Sequence, residues 1–183
     1  MKKTGTDRKK DIDMKPHLKK LKVFGDDRGL FFPLSLENQN HDRQWLQSNI
    51  SISKKHTFRG LHHQKGVTSQ AKLVTVVQGE ILDFIVDLRY GSFEETYFFQ
   101  MTPGDQLYVP RGFAHGFLAL REDTMIQYLV DNVYSPETEM SFDWKSNETV
   151  KELILAEVGS EENLLMTDKD RDGVKISKEW VEK

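Results

Sequence analysis

From Asn49 onward apolar and polar residues alternate in short runs with period two, the spacing of half-buried strands. The runs are Ile50–Ser53, Thr57–His63, Lys72–Gln78, Ile81–Leu88, Thr96–Met101, Gln106–Val109, His115–Leu120 and Met125–Val130. Turn residues separate them at Gly79-Glu80, Gly91-Ser92, Pro103-Gly104-Asp105 and Arg121-Glu122-Asp123. This rhythm predicts an all-β core of the sandwich or barrel kind. Ahead of it, Leu21–Phe24 and Leu30–Leu34 read as two strands around the turn Asp26-Asp27-Arg28-Gly29. Pro33 confines the second to a sheet edge, and its apolar character invites pairing with another subunit. Ser35–Gln47 is polar enough for a short helix or loop. Past about Ser135 the alternation fades into a polar arm with short helical pieces such as Thr149–Ala156. Met1 to about Pro16 carries Lys, Arg and Asp with almost nothing to bury, which predicts a disordered tail. The expected organisation is therefore a tail over 1–17 and one domain over 18–183, with a β core at about 20–135 and a C-terminal arm over 136–183.

Length and composition narrow the function classes. A chain of 183 residues, 37% of them hydrophobic, can bury one real core and is short for two. A formal net charge of −3 lacks the broad positive field that nucleic acid or a membrane surface would need, so an anionic ligand must be met by local arginines and lysines. No apolar run approaches a membrane span, and the first twenty residues lack the apolar centre of a signal peptide, so a cytoplasmic protein is expected. The chain has no cysteine, which removes disulfides and thiolate metal sites.

The chemistry concentrates in Phe58-Arg59-Gly60-Leu61-His62-His63-Gln64, a large polar load for a strand. Side chains on a strand alternate faces, so His62 and His63 should point opposite ways. His62, with Gly60 two residues before it to admit a ligand, is the better candidate to face a pocket; it shares parity with Phe58 and Gln64. Arg59 lies at odd offset from His62, so both can reach one ligand only if Gly60 permits a bulge or Arg59 acts at the rim. The spacing Gly104-x5-Pro110-x-Gly112-x2-His115 is that of the second cupin signature. The first cupin signature would need two histidines one residue apart and a downstream glutamate. Here the histidines are adjacent, Gln64 stands at a ligand position, and only His56 could add a third imidazole, so no metal and no cofactor are expected.

The ordered segments "FRGLHHQ", "AKLVTVVQGEILDFIVDLRYGS", "VPRGFAHGFLAL" and "MIQYLVDNVYSPE" resemble the dTDP-4-dehydrorhamnose 3,5-epimerase family of metal-free cupins. "FGDDRGLFF" and "QSNISISKKHTFRGLHHQ" extend the likeness over roughly Val23 to Pro136, with a weaker echo at "MTDKD". The resemblance implies a cupin-type jelly-roll barrel, a homodimer, and a nucleotide-diphospho-sugar substrate bearing a 4-keto-6-deoxy sugar. A hydrogen beside a ketone is weakly acidic, so such a site needs a base, a group to stabilise the enolate oxygen, and an acid on the opposite face. By resemblance His62 is the base, Lys72 the cation near the enolate, Tyr128 the acid, and Asp170 the carboxylate paired with the base. Arg28, Gln47 and Arg59 fall on the family's substrate-binding positions. His115 matches a barrel histidine of the family, or equally serves a core hydrogen bond, and Tyr134 supplies an aromatic near the nucleotide.

Three function classes remain open on the sequence: a nucleotide-sugar epimerase or the related 3,4-ketoisomerase, a metal-dependent cupin enzyme, and a non-catalytic sugar-binding cupin. The presence together of His62, Lys72, Tyr128 and Asp170 favours the first, because a binding module needs no acid and base on opposite faces. The tail holds a competing motif. Asp168-x-Asp170-x-Asp172-Gly173-x5-Glu179 matches a calcium-loop pattern, although Lys175 occupies its usual apolar position and Gly159 interrupts the entering helix.

Overall fold

The computed structural model describes residues 15–34 and 44–181, so the expected tail as far as Met14 and most of the expected helix or loop at 35–47 lie outside the described residues. Twelve strands are found among the described residues: β1 (His17–Lys20), β2 (Phe24–Asp26), β3 (Gly29–Phe31), β4 (Gln47–Ser53), β5 (Phe58–Gln64), β6 (Lys72–Gln78), β7 (Ile81–Asp87), β8 (Thr96–Met101), β9 (Asp105–Val109), β10 (Phe113–Ala119), β11 (Thr124–Val130) and β12 (Glu139–Ser141). They form two antiparallel five-stranded sheets, ordered β1-β9-β6-β11-β4 and β12-β5-β10-β7-β8, and a β2–β3 hairpin. The runs from Thr57 to Val130 lie where alternation predicts them. The amino-terminal ones do not: His17, assigned to the tail, begins a strand, only Phe24 of the expected strand Leu21–Phe24 is in one, at the start of β2, and Leu30–Leu34 shortens to β3. Polar β1 is a strand through its partner, with His17 to Lys20 opposite Tyr108 to Asp105.

Two cores explain the burial. Between the sheets, Val74, Val76, Leu107, Val109 and Ile126 of the first meet Ile81, Ile85, Met101, Phe113 and Phe117 of the second. The outer face of the second sheet is also dry, because Phe58, Leu61, Phe84, Val86, Ala114 and Leu118 pack against Phe142, Trp144, Val150, Ile154 and Ile176 of the C-terminal arm. Burial on both faces is why β7 and β10 are buried along their whole length. The arm is thus more than a polar appendage. Its helix α1 (Glu148–Val158) starts at Asn147, whose side chain accepts from Val150 N, and buries Val150, Ile154 and Val158, one residue per turn on one stripe. Gly159, at φ 80°, ends it, and the chain returns over the sheet to a short helix α2 (Asp168–Arg171) capped by Thr167.

One irregularity decides how β5 faces the interior. Arg59 pairs with Phe117 and His62 with His115, so three steps along β5 match two along β10. That extra residue is a bulge, and it puts Arg59 and His62 on the same side of the sheet despite their odd offset. Phe58 consequently joins Leu61 in the outer core, so the expected shared parity of Phe58 and His62 fails. Gly60 is required here: at φ 144° a Cβ on it would stand 2.5 Å from Gly116 Cα, so only glycines let the two strands approach.

Candidate active site

The interior rows that make the core continue to one end of the sandwich, and there they turn polar. Lys72 lies on the row of Val74 and Val76. Tyr128 follows Ile126, and its cross-strand partner is Asn49; Gln47 is opposite Val130. These side chains, with His62, His63, Gln64, Gln70, Phe113, Tyr134 and Glu139, border a cavity of about 310 Å3. The sequence-derived residues Gln47, His62, Lys72, Tyr128 and Tyr134 are therefore brought together. The last three residues of β5 all border the cavity, as residues at a strand end on the rim of an opening can. Strict alternation had set His62 and His63 apart. His63 is buried, with its Nδ1 3.2 Å from the carbonyl oxygen of Phe113.

His62 Nε2 lies 2.5 Å from Oδ1 of Asp170, which α2 carries back over the edge of β5. Burial raises the Asp170 carboxyl, but hydrogen bonds from His62, Thr167 and Ser141 outweigh it and hold the group below its ordinary value. An ionised carboxylate can only accept, so Nε2 carries the proton and Nδ1 is left as the basic nitrogen of His62. In the same region the carboxylates of the calcium-loop pattern do not converge on one point. Asp170 is turned inward to His62, Asp172 caps α2, Glu179 accepts from the Ser177 hydroxyl, and among the described residues no cluster of three or more His, Cys, Asp or Glu could hold a metal ion.

Opposite the dyad, burial pulls the Lys72 ammonium down to about 8, against the carboxylates of Asp83 and Glu139, which favour its charge. Lys72 is thus a cation at neutral pH and loses that charge within reach of ordinary buffers. Burial raises the Tyr128 phenol above its usual value, with Arg59 opposing, so Tyr128 holds its proton at neutral pH. His115, fully enclosed on β10, directs Nε2 to both oxygens of Asp83 at 3.0 and 2.9 Å; it serves a buried hydrogen-bonded pair behind the cavity and does not border it. Burial lowers the His115 imidazole and raises the Asp83 carboxyl.

Like His115, two more of the expected substrate contacts lie elsewhere. Arg28 sits in the β2–β3 turn, exposed and paired with Asp26, and does not border the cavity. Arg59 bonds Ser53 Oγ at 3.1 Å and borders a second cleft, with Lys54, Leu165, Thr167 and Asp170, on the other side of the dyad. Sequence reasoning missed Asp83, Asn49, Glu139 and Lys169. Glu139 accepts from Tyr134 Oη at 2.7 Å and from Lys169 Nζ at the cavity edge. Asp83 had a signal, being the lone charge inside the otherwise apolar run ILDFIV. Glu139 and Lys169 had none, because their meeting depends on the arm's path.

Comparison with known proteins fits this geometry. A family profile described as dTDP-4-dehydrorhamnose 3,5-epimerase matches residues 15–178. The enzyme of that name from Salmonella typhimurium is 41% identical over 133 residues, covering 67% of this chain and 72% of that one. The crystal structure of dTDP-4-dehydrorhamnose 3,5-epimerase from Elizabethkingia anophelis superposes with a TM-score of 0.72 at 33% identity, covering 87% and 90% of the two chains. That of dTDP-6-deoxy-D-glucose-3,5-epimerase from Legionella pneumophila, in complex with dTDP-4-keto-L-rhamnose, gives a TM-score of 0.76 at 28% identity, covering 91% and 92%. With a matching profile over residues 15–178 and solved relatives of the same build along most of its length, this chain belongs to the dTDP-4-dehydrorhamnose 3,5-epimerase family.

Proposed function

We propose that the protein is a nucleotide-sugar epimerase that inverts carbon 3, carbon 5 or both of a nucleotide-linked 4-keto-6-deoxy sugar. The observation that carries this reading is that His62, paired with Asp170 behind it, borders the same cavity as a cationic Lys72 and a protonated Tyr128. His62 Nδ1 takes the hydrogen beside the ketone, and the electrons of the C–H bond move into an enolate whose charge collects on the carbonyl oxygen. Lys72 stabilises that oxygen, and Asp170 stabilises the imidazolium. Tyr128 then delivers its proton to the opposite face, the carbonyl re-forms, and both side chains recover their starting state from solvent. Arginines 28 and 59 suit the diphosphate, since a guanidinium fork meets two phosphate oxygens at once. Arg28 would reach it only in an assembly, because its hairpin stands off the cavity of its own chain.

That requirement supports a homodimer. Leu30 and Phe31 on the hairpin are 65% and 67% exposed, and Ile50 and Ile52 on edge strand β4 are 66% and 58% exposed, an apolar surface suited to a second copy. The substrate class supports a cytoplasmic location, where sugar nucleotides are made, and among the described residues no helix is long and apolar enough to cross a membrane.

The test is solvent-deuterium exchange watched by NMR on a panel of nucleotide-linked 4-keto sugars, with label at carbon 3 or carbon 5 identifying the position inverted. In Tyr128→Phe, isotope still enters from the His62 side while net inversion slows sharply; unchanged inversion would reduce Tyr128 to a core residue. The pH profile tests Lys72. Its charge is lost as pH rises through about 8, so kcat should fall above that value, and Lys72→Met should be slower by ~10²–10³ and lack this alkaline limb. Stability runs the other way: a lysine whose folded value is depressed from 10.5 costs stability while charged, and that cost is relieved between about 8 and 10.5. An alkaline limb that survives in Lys72→Met would assign it to another group.

A further inference from the structure

We infer that Gln64 is a positioning residue whose buried amide joins the two loops forming the mouth of the cavity and so sets how tightly the nucleotide end of the substrate is held. The inference rests on the nucleotide-sugar reading above. Gln64 is 5% exposed at the end of β5. Its Nε2 donates to Thr68 O at 2.8 Å on one loop and to Val133 O at 3.1 Å on the other, and its Oε1 accepts from Ser135 N at 2.9 Å. The loops are further tied by Asn132 Nδ2 donating to Val67 O at 2.9 Å and by the hydroxyls of Thr68 and Thr138, 2.6 Å apart.

What this clamp presents is an apolar collar. Tyr134, which borders the cavity, is 55% exposed, and Val67 and Val133 on the two clamped loops are 90% and 60% exposed. Side chains of this kind so open to water fit a flat ring with apolar faces, and a nucleobase is the part of the proposed substrate that has them. The three bonds need two donors and one acceptor on one planar group, which only a primary amide offers. Gln64→Glu keeps the shape but turns a carboxylate oxygen toward two carbonyl oxygens, so the loops must part. The ladders that hold Lys72 and Tyr128 do not depend on these loops.

Gln64→Glu should therefore raise KM for the nucleotide-linked 4-keto sugar by ~10-fold or more and weaken thymidine diphosphate binding by a similar factor, with kcat at saturation within about threefold of wild type. A purely structural role would lower the active fraction and leave KM alone. Unchanged KM and diphosphate affinity would overturn the inference, as would a fall in kcat that matches or exceeds the rise in KM, which would place the role at His62 two residues away. If Gln64→Glu does not fold, Thr138→Val carries the test, since it removes one hydroxyl tie without touching β5. It should show a smaller rise of the same kind, about 2–5-fold, and no rise would overturn the inference. Wild-type protein that neither binds thymidine diphosphate nor exchanges deuterium would sink the nucleotide-sugar reading and this inference together, whereas an active wild type with an indifferent Gln64→Glu sinks the inference alone.

Discussion

His62→Ala is expected to remove deuterium exchange at every position of the sugar, lowering the rate by ~10²–10⁴ while the fold survives. The strand does not need this imidazole: His62 is partly exposed at the end of β5, and its place in the sheet is held by backbone bonds to β10 and β12. Among the described residues bordering the cavity, His62 combines a basic nitrogen with a carboxylate behind it, and its loss removes both from use. His63→Ala is the control. His63 is directed to the Phe113 carbonyl, so its loss should lower the melting temperature more than the exchange rate. Near wild-type exchange in His62→Ala would show that the base lies elsewhere.

Asp170→Asn should be nearly as severe, with a fall of roughly 10²–10³ in turnover, because it keeps the shape but loses the charge that fixes the imidazole tautomer and stabilises the imidazolium. The other carboxylates of the tail provide the contrast. Asp168→Asn, Asp172→Asn and Glu179→Gln should change little, and a chelator should leave both activity and melting temperature unchanged. Calcium that raises the melting temperature, with the shift abolished by Glu179→Gln, would overturn the dyad assignment.

What the sequence made legible follows from what is local. Alternation located the strands of the core, whereas Lys72 and Tyr128 were legible only through the family resemblance, and the sheets place them at the polar end of the rows that hold Val74 and Ile126. The bulge at Gly60 was legible as a condition, because Arg59 and His62 could share a side only with an extra residue between them. Three things were not. Polar β1 becomes a strand only because β9 offers it a partner. The arm's role on the outer face is carried by Val150, Ile154 and Val158, spaced at a helical period within a stretch whose overall polarity hid it. The pairings of Asp83 with His115 and of Glu139 with Lys169 join residues 32 and 30 positions apart, and such separations leave no trace in a local pattern.

The arm that seals the outer face of the second sheet also delivers the carboxylate to His62. Selection for solubility and selection for turnover therefore act on one segment. A lineage that shortened this arm would uncover Phe58, Phe84 and Leu118 at the same step as it lost Asp170, and would be purged as an aggregating protein before it could persist as a silent one. On the proposed mechanism, drift from catalyst to mere sugar binder would run instead through point changes such as those at Asp170 or His62, which leave the seal in place.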